Sequence, residues 1–265
     1  MAEENALKPF YSVLVLAFVC SALVAGAAVG LRPLQETNRI LDRQKNILYA
    51  AELFEEGKTI AEMFAPIETR IVELARGKFV PQETIDPDSY KQLKAALSEE
   101  NGRQLTKDED IAKIRYQEKY SFVYLVKEGQ TIKQIILPVR GKGLWSTMYA
   151  YVALDSDLAT IRGVSFYEHG ETPGLGGEVE NRRWQEQWQG KQVYDDSGQV
   201  ALRFVKGKAA GEEPAVSHQI DGLSGATLTT NGVNNLMEFW FGDHGFKPFL
   251  DQLRKEKLHK ENANG

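Results

Sequence analysis

Asp221-Gly222-Leu223-Ser224-Gly225-Ala226-Thr227, followed by Leu228-Thr229-Thr230-Asn231-Gly232, is the stretch on which the reading of this chain turns. Three small residues, Ser224, Gly225 and Ala226, stand before Thr227. Small neighbours let a bulky group approach the backbone and leave a hydroxyl accessible. An apolar helical face follows in Val233, Leu236, Met237, Trp240 and Phe241, with Gly242 placed to stop it. That spacing predicts a helix starting near Thr230 or Asn231, just after Thr227. A helix start offers unpaired N–H groups and the positive end of a dipole, which suits an anion. By local chemistry alone the same residues read first as a capped turn, because Ser, Gly and Thr cluster in ordinary loops.

Working outward, residues 9–31 carry no charged side chain and residues 10–31 are almost entirely apolar. About 20 such residues suffice to cross a bilayer as a helix. Residues 10–31 are therefore read as a transmembrane anchor behind a short tail, 1–9. A secretory signal peptide is the rival reading, with Ala25-Gly26-Ala27 as its cleavage site. Against it, Lys8 is the only basic side chain ahead of the apolar run, opposed by Glu3 and Glu4, and the uncharged stretch continues past the cut. Ala17-Phe18-Val19 is too bulky for Cys20 to be a lipoprotein cysteine. Arg32, Arg39, Arg43 and Lys45 follow the apolar run, and by the positive-inside rule they place the main body in the cytoplasm. No carboxylate lies within residues 10–31 to bind an ion in the membrane.

A formal charge of −5 argues against nucleic acid as a partner. Cys20 is the single cysteine, which excludes an intrachain disulfide and a thiolate metal cage. His169, His218, His244 and His259 lack ligand spacing, so no metal site is expected.

The remaining residues divide into a helical stalk and cap, 32–119, a main domain, 120–250, and a polar C-terminal tail, 251–265. Ile40, Leu41, Ile47, Leu48, Ala51, Leu53 and Phe54 recur at helical spacing up to Gly57, and 60–64 and 69–75 read as further helix. The charged stretch 91–119, with its Asn101-Gly102 turn, reads as a surface helix and loop. From Tyr120 the pattern changes. Residues 121–126 and 132–139 form a hairpin across Glu128-Gly129, and 148–154 and 161–167 form a second one across 155–157. Residues 203–205 make a short strand, and Trp184 and Trp188 mark a helix crossing the sheet. The expected class is α+β: an N-terminal transmembrane helix, a helical stalk, and a mixed, mostly antiparallel sheet with flanking helices.

Two glycine-bearing loops remain, 140–146 and 171–177. Neither is a dinucleotide fingerprint, since Ser146 stands where a third glycine is needed and no βαβ unit surrounds it. As plain punctuation both are tight turns. As a binding slot they combine backbone approach at glycine with the apolar faces of Leu144, Trp145 and Leu175.

Gly143-Leu144-Trp145-Ser146, Glu171-Thr172-Pro173-Gly174-Leu175-Gly176 and the 221–227 segment occur in that order. The series resembles the FMN-binding domain family of membrane redox complexes. With the anchor and this length, it most resembles the C subunits of Na+-translocating NADH:quinone reductases. The G subunits of Rnf complexes, usually shorter, are the near relatives. The resemblance implies FMN covalently attached to Thr227 through a phosphoester, installed by a separate flavin transferase. Asp221, Ser224, Gly225 and Ala226 would form the recognition and turn elements. Leu144, Trp145, Thr172, Gly174 and Leu175 would line the isoalloxazine, with Glu171 in the same cofactor-binding set.

The resemblance further implies an electron relay between an iron–sulfur donor and a flavin-bearing acceptor in neighbouring subunits, with no catalytic acid–base residue and no NADH or quinone site in this chain. It also implies a single-pass protein of the bacterial inner membrane with its flavin domain in the periplasm, the side opposite to that read from the flanking charges. Two alternatives stay open on the sequence: an Rnf G-type subunit, and a cofactor-free, membrane-anchored assembly module.

Overall fold

The computed structural model describes residues 7–264. Helix α1 runs through Leu7–Ala50, with Pro33 inside it. It is long and apolar enough to cross a membrane, and no part of its most apolar stretch is buried. The part of the 1–9 tail before Leu7 lies outside the described residues. Residues 1–43 and 44–265 separate as two units.

Within the second unit the elements after α1 are, in order, α2 Ile60–Phe64, β1 Ile67–Glu73, β2 Lys78–Val80, α3 Gln92–Ala96, β3 Gly102–Gln104, β4 Tyr116–Glu118, β5 Tyr120–Glu128, β6 Thr131–Lys142, β7 Thr147–Asp155, β8 Ile161–Glu168, α4 Arg182–Glu186, β9 Arg203–Val205, β10 Gln219–Asp221, α5 Thr227–Phe241 and α6 Lys247–Asn264. The main sheet has six strands in the order β2-β1-β5-β6-β7-β8, and each neighbouring pair is antiparallel. Two small sheets complete the fold: β3 with β4 antiparallel, and β9 with β10 parallel.

Alternation along the strands builds two cores. Val123 and Leu125 of β5, Ile135, Leu137 and Val139 of β6, and Met148, Ala150 and Val152 of β7 point to one face. There they meet Val233, Leu236, Met237 and Trp240 of α5, together with Trp188 and Phe204. Phe122, Tyr124, Ile136, Tyr151 and Ala153 point to the other face, where Ile47, Leu48, Ala50 and Ala51 pack with Met63 and Ile71. Period-two side-chain placement is what lets one sheet serve both layers. The α+β class holds, with its apolar N-terminal helix and antiparallel sheet.

Several elements differ from the sequence reading. Residues 69–75 read as helix, yet they fall largely within β1, which pairs with β5 from Ile67↔Val126 to Glu73↔Tyr120. Ile67 and Ile71 fit helical spacing as well as strand spacing, and the deciding partner lies far along the chain. The sheet thus draws strands from both sides of residue 120. The stretch 91–119 contains the β3–β4 pair besides a short helix. Residues 251–264 are helix α6 rather than a tail, because Leu250 and Leu253 bury against the core while Arg254 stacks on Tyr194 at 4.7 Å. So few apolar positions leave little helical pattern to see. Finally, α5 begins at Thr227 itself rather than near Thr230.

Candidate functional site

Strand β6 ends at Lys142 and β7 resumes at Thr147, so Gly143-Leu144-Trp145-Ser146 is the connection between them. Strand β8 ends at Glu168, and the chain then turns through His169 and Gly170 into Glu171. Both loops therefore leave the same end of the sheet. Helix α5 brings its first turn to this point.

The loops converge on one carboxylate. Glu171, 5% exposed, accepts the backbone N–H of Leu144 at 3.1 Å, of Trp145 at 2.9 Å and of Ser146 at 3.2 Å. It also accepts the Thr229 hydroxyl at 2.6 Å. Burial of the carboxylate favours its neutral form, but the Thr229 hydroxyl and the N–H groups of Trp145, Ser146 and Leu144 outweigh burial and hold it below the ordinary carboxylate range.

The glycines are explained by this seat. A Cβ on Gly143 would lie 2.6 Å from Glu171 Oε1, and one on Gly176 would collide with Thr229 Oγ1 and lie 2.9 Å from Glu171 Oε2. The room these two glycines leave is filled by protein. Gly174, at φ +74°, instead faces open space, and Gly225, at φ +72°, would meet Leu175 Cδ2 at 3.1 Å. Leu175 and the 221–227 segment thus lie against each other.

Trp145 is fixed through its backbone while its ring is free. Its N–H is held by Glu171, and its carbonyl accepts the Lys142 ammonium at 2.7 Å. The side chain is 65% exposed, beside Leu144 at 43%; Leu175 stands at 44% and Leu228 at 59%. Thr172 and Gly174 are also exposed. The Thr172 carbonyl closes its loop by accepting the N–H groups of Leu175 and Gly177.

Thr227 opens α5 with an exposed side chain, and no side chain caps the helix at Ala226. Ala226 and Leu223 are buried and anchor the segment in the core, while Ser224 and Gly225 are exposed. Thr229 and Thr230 are buried, and the Thr230 hydroxyl accepts the Leu223 N–H at 3.1 Å. Asp221 is turned to a neighbouring loop: its carboxylate accepts the Ala209 N–H at 2.7 Å, and its carbonyl accepts the Trp184 indole N–H at 2.8 Å.

Most of the residues expected at the site are thereby brought together: Leu144, Trp145, Glu171 and Leu175 around the start of α5, with Asp221 bracing it from behind. Thr229, Lys142 and Trp184 complete the arrangement and were missed. Thr229 had one available signal, its place two residues beyond Thr227 in the same first turn. An uncapped helix start, a surface hydroxyl upon it, and exposed apolar side chains on rigidly held loops match what a phosphate-bearing aromatic cofactor requires.

Comparison with known proteins agrees. The FMN-binding domain family matches residues 143–242. The C subunit of the Na(+)-translocating NADH-quinone reductase of Yersinia pestis is 46% identical over 256 residues, covering 95% of this chain and 94% of the relative. The equivalent protein of Vibrio vulnificus strain YJ016 is 47% identical over 262 residues, covering 98% of this chain and 100% of the relative. Among solved structures, NqrC of Shewanella oneidensis superposes with a TM-score of 0.73 at 37% identity, over 81% of this chain and 97% of that one. With a likeness to these relatives over nearly its whole length, this chain belongs to the family of C subunits of the Na+-translocating NADH-quinone reductase.

Proposed function

We propose that this chain carries FMN esterified through its phosphate to Thr227 and serves as a membrane-anchored electron relay within a Na+-translocating NADH:ubiquinone oxidoreductase. One observation carries the reading: of Thr227, Thr229 and Thr230, Thr227 alone is exposed, at an uncapped helix start whose turn Glu171 ties to the Leu144–Trp145 loop.

Bound FMN supplies one- and two-electron redox chemistry that the side chains here cannot. The protein's part is holding and shielding. The first turn of α5 would present N–H groups and its dipole to the phosphate. Leu144, Trp145 and Leu175 would offer apolar surface to the ring, with Thr172 and Gly174 in the same cofactor-binding set. Glu171 and Lys142 keep the Trp145 loop in place from either side. Ser224, Gly225 and Ala226 put no bulky side chain in front of Thr227, and Asp221 braces the segment through Ala209 and Trp184.

The family resemblance supports an iron–sulfur donor and a flavin-bearing acceptor in neighbouring subunits, and a periplasmic flavin domain on a single inner-membrane anchor. Arg32, Arg39, Arg43 and Lys45 weigh the other way, but one anchor with few flanking charges is a weak determinant within a multisubunit complex. Near-full-length likeness to C subunits favours that assignment over the Rnf G subunits.

The test is intact mass and in-gel flavin fluorescence after denaturation, with and without a coexpressed flavin transferase, beside Thr227→Ala. A transferase-dependent fluorescent band, heavier by one FMN less water and absent in the variant, is expected. No added mass with an active transferase returns 221–227 to a simple turn and leaves the assembly-module reading.

A further inference from the structure

We propose that Thr229 and Glu171 are a positioning pair that fixes the orientation of the group carried on Thr227 relative to the Trp145 loop. The inference rests on the proposed attachment at Thr227 and adds a role for Thr229 in the site.

Thr227 and Thr229 sit in the same turn of α5 but about 200° apart around its axis, so one faces outward while the other faces the core. Burial follows that geometry: Thr227 is exposed and Thr229 is 1% exposed. The Thr229 hydroxyl donates to Glu171, whose carboxylate gathers the N–H groups of Leu144, Trp145 and Ser146. A single carboxylate therefore links the helix turn that bears Thr227 to the loop that bears the exposed indole. The contact is also protected. Side chains at Gly143 or Gly176 would occupy the space that Glu171 and Thr229 now fill.

This link matters because a phosphoester tether is flexible. Attachment alone fixes one end of the cofactor, and several rotatable bonds separate that end from the ring. Orientation must then come from surfaces held at fixed separation from the tether point. Thr229 and Glu171 set that separation through buried contacts, while Leu144, Trp145 and Leu175 supply the surfaces themselves. Thr229 is thus a positioning residue that acts from behind the helix.

The experiment compares the flavinylated full chain in its complex with Thr229→Val, which keeps shape and loses the hydroxyl, and Thr229→Ser, which keeps the hydroxyl. Covalent FMN is read by mass, and native flavin by fluorescence lifetime and midpoint potential. The expected result is that Thr229→Val retains FMN but replaces one quenched lifetime with a spread of longer ones and shifts the potential, while Thr229→Ser restores both.

Glu171→Gln serves as the second variant should Thr229→Val not fold, and it is read by the same lifetime and potential. Unchanged lifetime and potential in flavinylated Thr229→Val would overturn the proposal. So would a folded Thr229→Val chain without FMN, since the pair would then serve attachment and not orientation. An unmodified chain lacking FMN altogether marks failure of the Thr227 assignment instead, and the mass distinguishes the two.

Discussion

The Trp184 indole N–H donates to the carbonyl of Asp221 at 2.8 Å, tying the short helix α4 to the segment that leads into Thr227. The Asp221 N–H also donates to the Gln187 side-chain oxygen, and its carboxylate accepts the Ala209 N–H. An acidic residue that reads as part of a recognition motif is, in the fold, a brace between three segments.

Replacing Trp184 with Phe keeps the ring contacts with Phe166, Trp188 and Phe204 but removes that hydrogen bond. A loss of about 1 kcal/mol in stability is expected, the usual net worth of one such bond. Asp221→Ala should instead free residues 206–211, seen as faster hydrogen exchange at the Ala209 amide. Unaltered exchange there would remove the bracing role.

Arg140 and Glu118 form a buried ion pair, 8% and 0% exposed at their side chains, with the nearer N–O distance 2.5 Å. Arg140 also donates to the Tyr116 carbonyl, and Gln92 donates to Glu118. Glu118→Ala leaves a buried guanidinium unpaired, and a loss of about 3–5 kcal/mol is expected in chemical denaturation. Changing Arg140 to Met together with Glu118 to Leu should recover most of that loss, because a buried pair replaced by apolar residues is close to neutral.

Gly174 and Gly176 lie two residues apart and should respond differently to alanine. At Gly176 the added methyl collides with Thr229 and Glu171, and overpacking of about 1–3 kcal/mol is expected together with a changed flavin environment. At Gly174 there is space but a positive φ, so a cost of about 1 kcal/mol is expected with the site undisturbed. Thermal melts and flavin emission of the two variants, measured side by side, check the contrast.

Acid should reach the site through Glu171. Its folded pKa lies below the ordinary value of 4.5. The stabilisation it confers is therefore complete above that value and disappears as pH falls through the lower folded pKa. Denaturation midpoints measured across this acid range should drop more steeply in the unmodified chain than in Glu171→Gln. Parallel slopes would assign the acid sensitivity to other carboxylates.

The sequence made β5 to β8 legible because each pairs with its neighbour in the chain and alternates clearly between two cores. Strand β1 was hidden: Ile67, Ile71 and Val72 satisfy two periods, and the partner that decides between them is β5. Strand β10 is three residues long and pairs with β9 across a loop, which leaves no periodic signal. The start of α5 was placed late because its first turn, Thr227 to Thr229, is largely polar and adds nothing to the apolar stripe.

At the site, the three motif loops were readable from their order and composition. What joins them was not. Glu171 reaches Trp145 across 26 positions and Thr229 across 58, and nothing beside those residues names the partner. Glycines that read as room for a ring turned out, at 143 and 176, to be room for a carboxylate and a hydroxyl.

The antiparallel pairing of β1 with β5 has a consequence for how the chain assembles. Hairpins among β5 to β8 close over short loops, whereas β1 must wait for a partner about fifty residues further along, a costlier closure. During synthesis, β1 emerges first and docks late. In the interval β5 stands as a bare edge, its N–H and C=O groups open to any strand that arrives. The growing chain is thus most vulnerable to wrong pairing just before its earliest strand comes home.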